Sequence, residues 1–285
     1  IGTGAFGSVY CGTYLDRPVA VKLANVNTSL FSPESFPELQ REVRLHLRVC
    51  GCAGVVKILA VSLEATALSP EPCVVMERAL GSLHDYLHKQ KHRGLFLPVI
   101  NLSLTTKLTL ALQVASAMEY ISAAGLIHRD IKSSNVLIFY DEVGGKSKDS
   151  DPDVCAKICD FGLSKTTALD ASINMSSHVS VKGTPSYLSP EAFNAQYSTA
   201  SDVYAYGVLL NEILTEEIPV PASTSAGQAA PTIFQLRDAV CRDAQRPALY
   251  DEETPVAESL RALITQCWAQ NPSDRYTFAD ITVEL

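Results

Sequence analysis

The 285-residue sequence predicts an α+β fold in two lobes, a small antiparallel sheet with one main helix and then a larger, mostly helical part. Three observations carry this expectation. A glycine-rich turn near the start is followed by a second strand where a nucleotide-binding βαβ unit would have a helix. A helical pattern over 36–49 comes next. At roughly 100–200 residues per domain, the length leaves room for one large domain or a pair of lobes. Hydrophobic residues make up 47% and charged residues 19%, enough to bury a core and unlike a disordered chain.

The opening, Ile1-Gly-Thr-Gly-Ala-Phe-Gly-Ser-Val-Tyr10, sets Gly2, Gly4 and Gly7 in a G-x-G-x-x-G pattern with Val9 two residues on. Glycines permit a tight turn and let backbone N–H groups approach phosphate oxygens with no Cβ in the way. A dinucleotide site would need a helix directly after the glycines and an acidic residue about 20 positions later. Here Ser8–Tyr14 reads as a strand, Leu15–Pro18 as a turn and Pro18–Lys22 as a second strand. No Gly-Lys-Ser/Thr follows, so the loop is not of the Walker type either. Lys22 ends a Val-Ala-Val-Lys strand, and an ammonium at that distance behind such a hairpin can reach the α- and β-phosphates of a nucleotide. Asn25–Pro37 reads as a loop. Phe36–Val49 reads as a helix on the recurrence of Leu39, Val43, Leu47 and Cys50. Glu42 on that helix is the expected partner of Lys22, with Glu38 one turn earlier as the alternative.

Ile127-His-Arg-Asp-Ile-Lys-Ser-Ser-Asn135 is the most specific stretch. Asp130 can accept the proton of an attacking hydroxyl, Lys132 can neutralise charge on a transferring phosphoryl group, and Asn135 offers an amide oxygen to Mg²⁺. Asp160-Phe-Gly162 follows a strand-like run, Val154–Cys159, and Asp160 can supply a carboxylate to an ion bridging the β- and γ-phosphates.

In this order the motifs resemble the eukaryotic protein kinase catalytic domain, and the resemblance covers essentially the whole chain. It implies a small lobe over 1–78 and a large one over 79–285, ATP and Mg²⁺ between the lobes, and transfer of the γ-phosphoryl group to Ser/Thr hydroxyls of protein substrates. In that reading Asp130 is the base, Lys132 and Lys22 are the cationic groups, Glu42 holds Lys22, and Asn135 and Asp160 hold the metal. Ile1, Gly2, Gly4 and Gly7 would cover the nucleotide, and Val9, Ala20 and Leu137 would sandwich the adenine. Met76 would be the gatekeeper, Glu77–Ala79 the hinge, and Cys159 would line the back of the nucleotide site. Gly183–Glu191 matches the family's substrate-docking segment and its A-P-E motif, with Ser189 in place of the alanine. Asp202 resembles the aspartate that braces the catalytic loop, and Arg275 the arginine that pairs with Glu191.

Lys132 and Gly183-Thr184 are similar to the Ser/Thr kinases, in whose geometry Thr184 would contact Asp130 and Lys132. The stretches 201–215 and 266–275 resemble the tyrosine-kinase-like group, which mostly modifies Ser/Thr. Arg129 before the catalytic aspartate implies regulation by phosphorylation of the segment Leu163–Lys182, which contains Thr166, Thr167, Ser172, Ser176, Ser177 and Ser180. One of Ser176, Ser177 and Ser180 is the expected activating site. Three departures stand out: Tyr276 where proline is common after the arginine, His46 at a normally hydrophobic stacking position, and a long polar connection over 140–153. The competing reading is a pseudokinase scaffold that binds nucleotide without turnover, but Lys22, Asp130 and Asp160 are all retained.

The net charge of −8 argues against nucleic acid or an anionic membrane as the main partner. No apolar run reaches the roughly 18 residues of a membrane span. Eight cysteines without framework spacing fit reduced thiols and a cytoplasmic setting. The sequence opens inside the glycine motif, as a piece of a longer protein would.

Overall fold

The computed structural model describes residues 2–4, 7–24, 35–62, 72–88, 100, 102–141, 154–167, 181–221 and 231–285, with every side chain in them except those of 2–4, 7, 24 and 35–38. The fold is bilobal. Five antiparallel strands form the first sheet: β1 (Gly2–Gly4), β2 (Gly7–Tyr14), β3 (Arg17–Ala24), β4 (Ile58–Ser62) and β5 (Cys73–Glu77), in the spatial order β1-β2-β3-β5-β4. The glycine turn joins two strands, since Gly4 pairs with Gly7 and Gly2 with Val9. The β2–β3 turn is tighter than the sequence suggests. It occupies Leu15 and Asp16 alone, with φ of 49° and 59°, so that Arg17 and Pro18 already pair with Tyr14 and Thr13. Positive φ at both central residues is the two-residue hairpin geometry whose twist matches the flanking strands.

Helix α1 (Ser35–Arg48) packs on this sheet, with Leu39 and Val43 buried against Val74 and against the partly buried Ile58, Val61 and Met76. Leu47 corrects the predicted apolar stripe. It is 47% exposed, whereas His46 is 3% exposed and occupies the inward position. The stripe therefore runs 39, 43, 46 and 49, with steps of three and four residues, and Leu47 lies off it.

The larger lobe is built on helices. Helix α2 (Leu83–Leu87) follows the hinge, and its start is fixed by a reciprocal cap: Asp85 N–H donates to Ser82 Oγ at 3.2 Å and Ser82 N–H to Asp85 Oδ2 at 3.1 Å. Helix α3 (Leu104–Ala123) buries one face, and α4 (Thr199–Thr215) is buried all round from Ser201 to Leu214, the mark of a central core helix. Helix α5 (Ile233–Arg237) precedes α6 (Pro255–Cys267), which packs on α4, and α7 (Phe278–Glu284) packs on α3. Gly207 lets α6 approach closely, because a Cβ there would lie 2.7 Å from that of Cys267.

Two small sheets carry the loops of the cleft. Strands β6 (Gly81–Ser82), β8 (Val136–Tyr140) and β9 (Val154–Ile158) form one, and β7 (Leu126–Ile127) pairs with β10 (Lys165–Thr166) in the other. The lobes are stitched by a parallel bridge from Val55 to Ile158, with Val56 N–H donating to Ile158 O at 3.0 Å. Arg41 of α1 also donates to Ser164 O at 2.6 Å. Among the described residues no helix is long and apolar enough to cross a membrane.

Candidate active site

Sheet register puts four of the predicted residues on one face. Val9 lies opposite Lys22, and Ala20 opposite Met76; since side chains alternate along a strand, Val9, Ala20, Lys22 and Met76 all project from the same side. Lys22 Nζ is 2.5 Å from Glu42 Oε1 and 3.5 Å from Asp160 Oδ1. Glu42 is thus the helix partner; the side chain of Glu38 is outside the described ones. Burial works against the charge on Lys22, but the Asp160 and Glu42 carboxylates outweigh it and hold the ammonium above its ordinary pKa.

The catalytic loop begins with His128, which is fully buried and held neutral by that burial. Its Nε2 donates to Cys159 O at 3.2 Å and its Nδ1 accepts from Asp130 N–H at 3.4 Å. Asp202 of α4 braces the loop by accepting the backbone N–H groups of His128 and Arg129 at 2.7 and 2.8 Å. Arg129 has a φ of 68°, and those two bonds hold a backbone conformation that a side-chain-bearing residue rarely takes.

Asp130 lies at the centre of a polar cluster. Its Oδ1 accepts the Thr184 hydroxyl at 2.8 Å, and its Oδ2 accepts Asn135 Nδ2 at 3.0 Å and lies 2.8 Å from Lys132 Nζ. Lys132 also donates to Thr184 Oγ1 at 2.7 Å. With its amide nitrogen engaged by Asp130, Asn135 has its amide oxygen to offer a cation. Its backbone carbonyl accepts Cys159 N–H at 3.0 Å, which ties it to the residue before Asp160.

Asp160 also has a positive φ, 66°. Burial pushes its carboxyl up, but Lys22 and the Gly162 N–H outweigh that and hold it below the usual carboxylate range. Phe161 is fully buried between two imidazoles, with ring centroids 4.7 Å from His46 and 5.2 Å from His128. His46 therefore fills the stacking position. Burial lowers its pKa to about 4, and its Nε2 donates to Val56 O at 2.6 Å. The Cys159 thiol is pushed far up by burial and by Asp160, so it is a protonated packing group and not a nucleophile.

Gly183 takes a φ of 103°, and a Cβ there would lie 2.7 Å from Arg129 O; the segment carrying Thr184 meets the catalytic loop through this gap. At its other end Glu191 is gripped by Arg275, with N–O distances of 2.7 and 2.9 Å. Arg275 donates also to the carbonyls of Ala200 and Ala269, at 2.8 and 2.9 Å.

The family model for protein tyrosine and serine/threonine kinases matches residues 1–285. The chain belongs to the protein kinase family. It is 32% identical to the dual specificity protein kinase shkC of Dictyostelium discoideum over the whole chain and 49% of that protein. It is 29% identical to the serine/threonine/tyrosine-protein kinase HT1 of Arabidopsis thaliana, over 99% of the chain and 63% of that protein. It is also 29% identical to the serine/threonine-protein kinase STY17 of the same plant, over 99% of the chain and 42% of that protein. The chain spans about half or less of the first curated relatives it matches. The family uses ATP and Mg²⁺.

The remaining kinase expectations divide by position. Leu137 lies on the face of β8 opposite the buried Val136 and Ile138. At the hinge the Glu77 N–H is already given to Lys57 O at 3.1 Å, and its carboxylate accepts Lys157 Nζ and Lys57 N–H, each at 2.8 Å. The hinge-donor role expected of residues 77–79 is therefore not open to the Glu77 N–H. Ile1, Ser172, Ser176, Ser177 and Ser180 lie outside the described residues. Thr167 is described and is tied by its backbone N–H to Gly125 O at 3.0 Å.

Sequence reading missed one buried cluster. Glu212 of α4 accepts the Tyr187 hydroxyl at 2.5 Å, the Ser133 hydroxyl at 2.7 Å and His88 Nε2 at 2.9 Å. The available signal was Asn211-Glu212 inside an otherwise apolar helical run, because a buried carboxylate requires partners.

Proposed function

We propose that this domain transfers the γ-phosphoryl group of ATP to Ser/Thr hydroxyls of protein substrates. The observation that carries the reading is the Thr184 hydroxyl, which donates to Asp130 and accepts from Lys132 at 2.8 and 2.7 Å. This bond pair joins the substrate-docking segment to the base and its neighbouring cation, an arrangement suited to an aliphatic hydroxyl acceptor.

In this mechanism Asp130 orients the acceptor hydroxyl and takes its proton, with its carboxylate steered by Asn135 and Lys132. Lys132 offsets negative charge that builds up on the transferring group. Lys22 binds the α- and β-phosphates, and Glu42 positions Lys22. The glycine hairpin, with Ile1, Gly2, Gly4 and Gly7, covers the phosphates, and the adenine lies among Val9, Ala20, Met76 and Leu137 against the Glu77–Ala79 hinge. The Asp160 carboxylate and the Asn135 amide oxygen are hard oxygen donors that fit Mg²⁺, which binds through one or two protein oxygens plus phosphates. When bound, that ion would supply charge neutralisation for the transferring phosphoryl group.

A reducing, cytoplasmic setting belongs to the same proposal, supported by eight cysteines whose spacing gives no disulfide framework. So does control by phosphorylation between Leu163 and Lys182, supported by Arg129, whose Nε reaches Leu163 O at 2.5 Å. The test is a γ-labelled ATP assay on a degenerate peptide library with Ser, Thr or Tyr fixed as acceptor. The reading predicts label on the Ser and Thr pools well above the Tyr pool. Label confined to the Tyr pool, or to none, would refute it.

A further inference from the structure

Helix α2 and helix α4 bring two imidazoles and a carboxylate together beneath the catalytic loop. His84 and His88 stand one helical turn apart, linked by the His88 N–H to His84 O bond at 3.0 Å, with ring centroids 4.5 Å apart. Both face Glu212: His88 Nε2 is 2.9 Å and His84 Nδ1 3.9 Å from Glu212 Oε1. One ligand atom from each residue falls within 4.8 Å of the other two.

The surroundings are those of a built site. The Glu212 side chain is 0% exposed, and among the described residues no lysine or arginine pairs with it. Its charge is held instead by imidazole and hydroxyl donors, which keep its pKa below the ordinary value despite burial. Tyr187 fixes the second carboxylate oxygen, and Ser133 Oγ lies 2.7 Å from Glu212 Oε1 and 3.2 Å from His84 Nδ1. Such outer partners orient a ligand set. The His84 side chain is 25% exposed and His88 9%, so the cluster opens to solvent on the His84 side.

We propose that His84, His88 and Glu212 form a binding site for a divalent transition-metal cation, Zn²⁺ fitting best. Two imidazole nitrogens and one carboxylate oxygen are the donors of open zinc sites, with water in the fourth place. Bonds of 2.0–2.1 Å set tetrahedral ligand atoms about 3.3 Å apart. The observed 2.9 and 3.9 Å separations from Glu212 straddle that value, and the two imidazole nitrogens lie within 4.8 Å of each other, so side-chain rotation with no backbone change is what seating the ion asks for. To coordinate, the His88 nitrogen that faces Glu212 must give up the hydrogen it now directs at the carboxylate. The site is separate from the Asp160–Asn135 pair. It touches the catalytic loop at Ser133 and the substrate-docking segment at Tyr187, so occupancy stiffens the floor on which a peptide would dock.

The test is titration of the intact chain with Co²⁺, read by its visible d–d absorption, followed by displacement with Zn²⁺. The expected result is one Co²⁺ per chain, with no thiolate charge-transfer band, and affinity at least about tenfold weaker in His84→Gln and in His88→Gln. Zn²⁺ should raise the melting temperature of the wild type and leave that of His84→Gln unmoved. His84 is partly exposed, so this variant decides the matter if His88→Gln fails to fold. Absence of stoichiometric binding, binding indifferent to His84→Gln, or a thiolate band would each overturn the proposal. Because the readout is metal binding, failure leaves the phosphotransfer reading untouched.

Discussion

Exchanging His46 for leucine should remove a pH dependence from the protein's stability. His46 is 3% exposed, stacks on Phe161 and donates to Val56 O, and burial lowers its pKa from 6.5 to about 4. The unfolded chain binds a proton near the ordinary histidine value, and the folded chain refuses it until much lower pH. Protons in that window favour the unfolded state, so stability falls as pH drops from about 6.5 towards 4. At 1.36 kcal/mol per pH unit, the histidine-specific loss between about pH 7 and pH 5 is about 2 kcal/mol. The assay is urea unfolding of wild type and His46→Leu at both pH values, with the two proteins compared at each so that other titrating groups cancel. The wild type should lose about 2 kcal/mol more than the variant on acidification. Leucine also forgoes the Val56 bond, which lowers the variant's stability at both pH values alike and leaves the difference intact. Equal losses in the two proteins would refute a buried, neutral His46.

Two further perturbations follow from the docking segment and its anchor. Arg275→Ala leaves Glu191 without the partner it meets at 2.7 and 2.9 Å, and loss of one member of such a pair costs about 3–5 kcal/mol, to be read as a lower urea midpoint at unchanged slope. Gly183→Ala forces a Cβ to within 2.7 Å of Arg129 O at a φ of 103°. Displacing Thr184 in this way should cut kcat/KM for peptide while nucleotide affinity, measured by titration, stays near wild type.

Much of the site was legible because phosphoryl transfer demands particular residue types at short, fixed spacings. The pairs Asp130 with Lys132 and Asn135, and Asp160 with the two residues after it, lie on single loops, so the chain itself sets their geometry. Glu42 was harder. Its role depends on the rotation of α1, and the stripe that defines the rotation contains a histidine, so apolar spacing alone points to Leu47, which lies exposed. Glu77 illustrates a different limit. Its N–H is spent on Lys57 O, a bond set by how the 52–57 turn docks beside β5, which no local pattern announces. The Glu212 cluster draws on residues 84, 88, 133 and 187, and contacts across such separations come from helix packing rather than spacing.

The most direct test of the central claim is single-turnover phosphoryl transfer by Asp130→Asn beside the wild type, with nucleotide affinity measured on both. Asparagine keeps one oxygen, which can take the place of Asp130 Oδ2 opposite Lys132 and Asn135, but it cannot accept the proton, so transfer should fall by roughly 10²–10⁴-fold with nucleotide binding nearly unchanged. Wild-type transfer rates in Asp130→Asn would contradict the account.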